Sequence, residues 1–408
     1  MSENTKLLFK NNINYDNILK NVLSKLELIK PKINCQNNRN IKIRNPGIDL
    51  VRILGMYAII IHHFIIFGDL TTKYWKYTEI HFINILTFWH VNSFALISGI
   101  VGYKTNKYSN LLYLWFQVLF YSIGIYLIIK KYKPIWIVKN NENFYQYLFP
   151  VIFRKYWYFT QYFGMYLLLP VVNKGLSILT KTELKIVVFS TIIIYIIFKD
   201  LLTPELDSFK MAKGYSTIWL LILYIEGAYI GKYNKIYNDN INKSIFCVLC
   251  ILIYIFSSLF CYKFSIYEID KRDNYLKMII IIILKRLFIH RINSMTMVIQ
   301  TFSIILFFRQ IKYHKNIAKI ISFCGPLTFG IYLIHNHNLI KRNIIGNLFR
   351  RHSNFLSLNT IIKLCLIRGL IVIIICIIID YIRNLIFSFC QIKNICILLE
   401  KKIYKLFN

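Results

Sequence analysis

Apolar segments of membrane-spanning length recur along most of the chain. Each holds about twenty mostly hydrophobic residues, which is the length that crosses a bilayer as one helix. The predicted spans are 49–67, 82–103, 110–130, 156–173, 184–199, 215–231, 244–262, 293–309, 319–339 and 361–385. We therefore predict an all-α fold, a polytopic transmembrane bundle with about ten spans.

Composition agrees with a membrane protein and argues against nucleic-acid binding. The 408-residue chain is 56% hydrophobic and 16% aromatic, and soluble domains rarely have such a composition. The formal net charge is +33, but the lysines and arginines lie mainly between the apolar segments rather than on one soluble patch. Basic connections beside membrane spans suit anionic lipid headgroups, control of topology and an anionic cosubstrate.

The nine cysteines do not predict a metal or redox site. Most lie within or beside apolar segments, where cysteine is typically a small buried apolar residue. Cys247 and Cys250 form a C-x-x-C pair, but no second pair or histidine accompanies it. We expect no metal and no permanently bound cofactor.

Three regions divide the chain. Residues 1–43 form a polar basic N-terminal extension, in which Asn17–Lys30 is either an interfacial helix or part of a partly ordered cytosolic tail. Residues 44–390 hold the transmembrane domain, and residues 391–408 form a basic C-terminal tail. The apolar run 277–290 is interrupted by two basic residues, so we predict an interfacial or re-entrant segment; if it spans, the count is eleven.

Basic connections indicate the topology. With an even number of spans, one side of the membrane holds both termini and four short basic connections: Lys104–Ser109, Lys174–Lys185, Gly231–Lys243 and Arg309–Lys319. The positive-inside tendency makes that side cytosolic, although two connections on the other side are basic too. We predict a multi-pass protein of the plasma (cytoplasmic) membrane, rather than of an endomembrane, with cytosolic termini.

The first apolar segment carries four ionisable residues that a purely structural span does not need: Asp49, Arg52, His62 and His63. At about 100° per residue, His63 points within about 20° of Arg52 and about 40° of Asp49, while His62 points about 100° away from His63. His63 lies about 16 Å further along the helix than Arg52, which predicts a position near mid-bilayer. Ionisable groups inside a membrane usually face a cavity and mark a functional site. The alternative is that Asp49 and Arg52 are anchors at the end of the helix and that the histidines are packed polar residues.

These groups suit proton abstraction from an alcohol or amine. An imidazole acts as a general base near neutral pH. Arg52, together with Lys104 and Lys107 on a nearby connection, suits phosphate groups at the cytosolic mouth. This arrangement indicates an acyl-coenzyme A donor that reaches in from the cytosol. Direct transfer and transfer through a covalent enzyme intermediate both remain open.

Polar residues in later segments are candidates for the substrate site: Ser98, Glu226, Tyr332 and His335. A lone carboxylate such as Glu226 inside a membrane needs a partner or a proton. His335 lies one helical turn after Tyr332, and the alternative role for it is a snorkelling residue near the outer surface. Gly99 and Gly102 predict close approach of a neighbouring helix.

Five motifs in order carry a family resemblance. They are Asp49-Leu-Val-Arg52 followed by His63, VNSFALISGIVGYK at 91–104, YWYFTQYFGMYLLLPVVNKGL at 156–176, GYSTIWLLILYIEGAYIGKY at 214–233, and LTFGIYLIHNH at 327–337. Together they resemble the integral-membrane acyltransferase 3 family, which includes sugar O-acetyltransferases, over about residues 44–390. One departure is Ile100, which stands where an aromatic residue is commoner.

The resemblance implies a function and its residues. The donor would be acetyl-CoA or another acyl-CoA, and the acceptor a hydroxyl of a glycan or lipid-linked sugar. His63 would be catalytic, with the adjacent His62 as the alternative; Arg52 would bind the donor, and Asp49 would orient Arg52. The competing function is a transporter of an anion or acylated sugar with a histidine proton relay. The absence of an internal repeat in the sequence argues against the transporter.

Overall fold

The computed structural model describes residues 44–70, 78–202, 206–233, 240–266, 275–288, 290–350 and 357–407. The predicted N-terminal extension, including Asn17–Lys30, lies outside these ranges. The described residues form helices and no strand, which confirms the all-α prediction.

Fourteen helices of eight or more residues make up most of the described ranges, and we number them in chain order. They are α1 (Pro46–Phe67), α2 (Thr78–Thr87), α3 (His90–Gly102), α4 (Tyr108–Tyr132), α5 (Trp157–Ile178), α6 (Lys181–Ile192), α7 (Thr217–Tyr233), α8 (Asn240–Ile266), α9 (Tyr275–Leu287), α10 (Met295–Gln310), α11 (Lys315–Cys324), α12 (Thr328–His335), α13 (Leu358–Phe389) and α14 (Ile392–Phe407).

Each of the ten predicted spans coincides with a helix or a pair of consecutive helices. Six helical segments in the described ranges are long and apolar enough to cross a membrane: α1, α2 with α3, α4, α8, α11 with α12, and α13. This makes the chain an integral membrane protein, while the count of ten stays a prediction. Most of α9 falls within the run predicted to be interfacial or re-entrant, and the predicted C-terminal tail contains α14, which packs against α4.

Local capping fixes the start of α1. The Asn45 side chain accepts hydrogen bonds from the backbone N–H groups of Gly47 and Ile48, at 2.9 and 3.4 Å. Pro46 occupies the first helical position, where its missing N–H costs nothing. Asn45 also donates to the Arg309 carbonyl at 3.1 Å, at the end of α10. The first turn of α1 is therefore held against a neighbouring helix.

Backbone contact joins α3 to α7. A Cβ built on Gly99 would lie 2.0 Å from the Tyr224 carbonyl oxygen, and one on Gly227 would lie 2.0 Å from the Leu96 carbonyl oxygen. Only hydrogen fits between backbones this close, so the predicted packing role of Gly99 is confirmed. At Gly102 a Cβ would make an ordinary contact, 3.5 Å from the Tyr224 hydroxyl, so the close approach does not extend there.

A buried carboxylate joins α13 to α4 and α12. Asp380 accepts hydrogen bonds from Tyr121 at 2.7 Å and Gln117 at 3.2 Å, both on α4. Arg383, one turn further along α13, donates to both Asp380 oxygens at 2.9 and 2.7 Å. A Cβ on Gly330 would lie only 2.0 Å from this carboxylate. The network therefore fixes the position of α12, which carries two candidate site residues.

Candidate active site

A cavity of about 270 Å³ opens between α1, α3, α5 and α12. Residues of α1 that line it are Arg52, Met56, Ile59, His62 and His63. Steps of four, three and four residues place Arg52, Met56, Ile59 and His63 on one helix face, and His62 lies beside it. His63 lies about one turn before the end of α1, nearer that end than the middle of the helix.

Asp49 orients Arg52 at the first end of this face. The Arg52 Nη1 lies 2.8 Å from the Asp49 Oδ1, and the Asp49 side chain is only 1% exposed. Gly325, at the start of the turn before α12, leaves room for the carboxylate, since a Cβ there would lie 2.7 Å from its Cγ. The buried acid thus fixes the direction of a guanidinium that lines the cavity.

His63 and His335 face each other near the other end. Their ring centroids lie 5.2 Å apart. His335 Nδ1 donates to the Ile331 carbonyl at 2.6 Å, so its Nε2 is the accepting nitrogen. His335 Nε2, His63 Nδ1 and the Tyr332 hydroxyl are buried and have no hydrogen-bond partner among the described residues. Buried polar atoms are normally paired, so this end of the cavity is suited to a polar ligand.

His62 is held differently from His63. Its Nδ1 pairs with the Asn84 side-chain oxygen at 2.7 Å. Its ring centroid lies 5.5 Å from that of His90, whose Nδ1 donates to the Thr87 carbonyl. His62 therefore has a fixed orientation on the cavity wall, and it remains the alternative to His63.

A row of tyrosines on α5 leads from the cavity towards the connection after α3. The Tyr158 and Tyr162 rings are stacked with centroids 6.3 Å apart, and Tyr166 follows at 6.0 Å from Tyr162. Ser98 contacts the Tyr162 hydroxyl at 3.4 Å. The Tyr166 hydroxyl donates to the Lys107 carbonyl at 3.0 Å. The row gives the cavity an aromatic wall that extends to a basic turn.

The cavity unites five of the predicted site residues: Arg52, His62, His63, Ser98 and Tyr332. Asp49 and His335 do not line the cavity, but Asp49 pairs with Arg52 and the His335 ring faces the His63 ring. Lys104 and Lys107 are exposed in the turn after α3 and do not line the cavity. Glu226 is buried on α7 outside the cavity lining, and neither of its oxygens has a hydrogen-bond partner among the described residues.

Sequence reasoning missed several polar residues of this region: Asn84, Tyr158, Tyr162, Asn336 and Lys341. The segment beginning at Tyr156 resembles an aromatic interface belt, yet Tyr158 lines the cavity. Asn336 directly follows His335, so the His-Asn-His-Asn run at 335–338 was an available signal.

Comparison with known protein families identifies the family of this chain. The acyltransferase 3 family model, described as an acyltransferase domain, matches residues 45–380. The fold and this match define a membrane acyltransferase. The chain belongs to the acyltransferase 3 family. No curated protein and no solved structure matches it significantly.

Proposed function

We propose that the protein transfers an acetyl or other short acyl group from acyl-CoA to a hydroxyl of a glycan or lipid-linked sugar. The observation that carries this proposal is that Arg52 and His63 line one cavity from one face of α1, about 16 Å apart along the helix. Coenzyme A thioesters carry phosphates and the acyl group at opposite ends of a long arm. Arg52 would bind the phosphate end, and the thioester would lie near His63.

Acyl transfer by His63 would be direct. His63 accepts the proton of the acceptor hydroxyl while that oxygen attacks the thioester carbonyl carbon. The carbon–sulfur bond then breaks, and the imidazolium returns the proton to the leaving thiolate. The products are an ester and free coenzyme A. The Nδ1 of His63 has no hydrogen-bond partner among the described residues, whereas the Nδ1 of His62 already pairs with Asn84, and this difference supports His63 in the role.

The proposed orientation places the Arg52 end of α1 in contact with the cytosol. Coenzyme A is then bound from that side, and the acceptor sugar is presented at the opposite surface of the plasma membrane. The basic connections of the sequence support cytosolic termini.

Turnover of labelled acetyl-CoA by the purified protein tests the proposal. The protein in nanodiscs is incubated with the labelled donor and a membrane glycolipid extract. We expect free coenzyme A to be released and label to appear on a sugar. A transporter would not consume the thioester. Failure both to bind the donor and to consume it would overturn the donor assignment.

Removing Arg52 should weaken donor binding. Because Arg52→Ala alone deprives the buried Asp49 carboxylate of its guanidinium, we compare it with the double variant Asp49→Asn, Arg52→Ala. Both variants should raise the KM for acyl-CoA about tenfold or more, because the loss of one charged hydrogen bond weakens binding by about that factor. The KM for the acceptor should not change. Lys174→Ala, an exposed site at the end of α5, is the control. An unchanged donor KM in the double variant would exclude Arg52 from donor binding.

A further inference from the structure

A cationic side chain lies near the end of the cavity that holds His63. Lys341 directly follows the short helix Asn338–Ile340, beyond α12. Its Nζ donates to the Asn336 Oδ1 at 3.0 Å, and Asn336 lines the cavity. The same ammonium lies 4.9 Å from the centroid of the Phe67 ring, which packs edge-on against His63 at 5.3 Å. Lys341 is thus separated from His63 by one aromatic ring.

In the part of the chain that the structure describes, no nearby acid balances the charge of Lys341. No carboxylate among the described residues lies within 4.0 Å of its Nζ, and its only side-chain hydrogen bond in those ranges goes to the neutral Asn336 amide. Glu142 acts on it from further away, but that carboxylate is already paired with Lys155 and accepts from Asn338. A partly buried cation without a counter-ion is costly, and a bound anion would offset that cost.

Polar atoms that lack a partner among the described residues lie in and beside the cavity, near this cation. His63 and His335 are both within electrostatic range of Lys341. His335 is 1% exposed, and its accepting Nε2 has no partner among the described residues. A ligand bound here would meet a cationic donor at Lys341 and accepting nitrogens at the imidazoles. A sugar that carries both hydroxyl groups and a negative charge has this combination.

We propose that Lys341 and Asn336 form an anion-binding subsite for the acceptor, so that the acylated sugar carries a carboxylate or phosphate group. This inference rests on the proposed function, in which transfer takes place at His63. The phosphates of the donor are assigned to Arg52, about 16 Å along α1 from His63. The anion near Lys341 therefore belongs to the acceptor. Carboxylate and phosphate share the chemistry that the subsite recognises, and the test distinguishes them.

The pH dependence of ligand preference offers an independent check. Burial lowers the pKa of Lys341 from 10.5 to about 8; the neighbouring Arg342 reinforces this shift and Glu142 opposes it. Lys341 is therefore cationic at pH 7 and loses its charge as the pH rises through 8. We expect the preference for an anionic over a neutral glycoside to fall roughly tenfold between pH 7 and 9. A preference unchanged across this range would contradict the role of Lys341.

Several charged and titratable groups face Lys341 besides the adjacent Arg342. They are the imidazoles of His63, His335 and His337, and the Lys155–Glu142 pair. Lys341→Met removes the titrating ammonium itself and should abolish the pH dependence of the preference. That result would assign the pH dependence to Lys341.

Binding of matched glycosides tests the subsite without requiring transfer. The full chain in phosphatidylcholine nanodiscs is titrated at pH 7 with decyl glucuronide, decyl phosphoglucose and neutral decyl glucoside. We expect at least one anionic ligand to bind about tenfold more tightly than the glucoside. Lys341→Met should remove this preference and Lys341→Arg should retain it. Lys130→Met, an exposed lysine in the last turn of α4, is the control.

Each result decides the proposal. Unaltered binding of decyl glucoside shows that Lys341→Met remains folded, so a lost anion preference supports the subsite. A preference that survives Lys341→Met, or no binding of either anionic ligand at millimolar concentration, overturns it. The tighter anionic ligand identifies carboxylate or phosphate. If phosphatidylglycerol displaces both, the anion is a lipid headgroup and the acceptor assignment is wrong.

The binding assay is independent of the proposed function. A preference that depends on Lys341 without any consumption of acyl-CoA would leave the subsite standing and remove the proposed transfer from acyl-CoA. Transfer to a neutral sugar that is unaffected by Lys341→Met would support the transferase reaction and remove the anion-binding subsite.

Discussion

Replacing His63 with alanine should abolish acyl transfer while folded protein remains in the membrane. The imidazole is the group on the Arg52 face of α1 that can accept the hydroxyl proton, and loss of a general base lowers rates by about 10² to 10⁴. The alanine leaves Asp49 and Arg52 in place, so donor binding should persist. Transfer of label from acetyl-CoA measures the first effect, and equilibrium binding of the donor measures the second.

Variants of the neighbouring histidines make this result specific. His62→Ala breaks the pair with Asn84, and His335→Ala removes the ring that faces His63. We expect both to retain more activity than His63→Ala. Normal turnover by His63→Ala would remove His63 as the base and transfer that role to His62 or His335.

Replacing Gly227 with alanine should prevent stable folding of the bundle. The added methyl group would lie 2.0 Å from the Leu96 carbonyl oxygen and 3.2 Å from the Gly99 Cα, so α3 and α7 must separate. Forcing atoms into a close-packed interface typically costs about 1–3 kcal/mol, and a clash with backbone exceeds that range. Thermal unfolding of the purified protein and its yield in the monodisperse fraction measure the effect.

Gly124→Ala is the matched control on α4. A Cβ at Gly124 would meet no atom of the described segments within 4 Å. Alanine has the higher helix propensity, so this variant should be as stable as the original protein or slightly more stable. Equal stability of Gly227→Ala and Gly124→Ala would show that α3 and α7 are not held by backbone contact at this point.

Local sequence signals predicted the helices and part of the site. Apolar segments about twenty residues long predict helices. A helix of that length crosses the bilayer, and it satisfies the hydrogen bonds of its own backbone where no water is present. The pairing of Asp49 with Arg52 follows from their separation by three residues, which is one helical turn. Helical spacing likewise placed His63 on the Arg52 face.

Contacts between distant segments could not be predicted in this way. Helical periodicity gives the direction of a side chain around its own axis, but not which helix it will face. The pairing of His63 with His335 depends on how α1 packs against α12. Lys341 belongs to a connection that sequence reasoning treated only as a basic loop. Its relation to the cavity arises because α12 ends before Asn336 and the Lys341 side chain donates to the Asn336 side chain.

The ion pair on α13 has a consequence for biosynthesis. Asp380 and Arg383 stand one turn apart on the same helix, so their opposite charges are already adjacent when this segment leaves the ribosome. A translocon therefore meets a nearly neutral unit within a long and strongly apolar segment. The release of α13 into the lipid therefore does not depend on its partners on α4. Tyr121 and Gln117 complete the hydrogen-bond network after insertion.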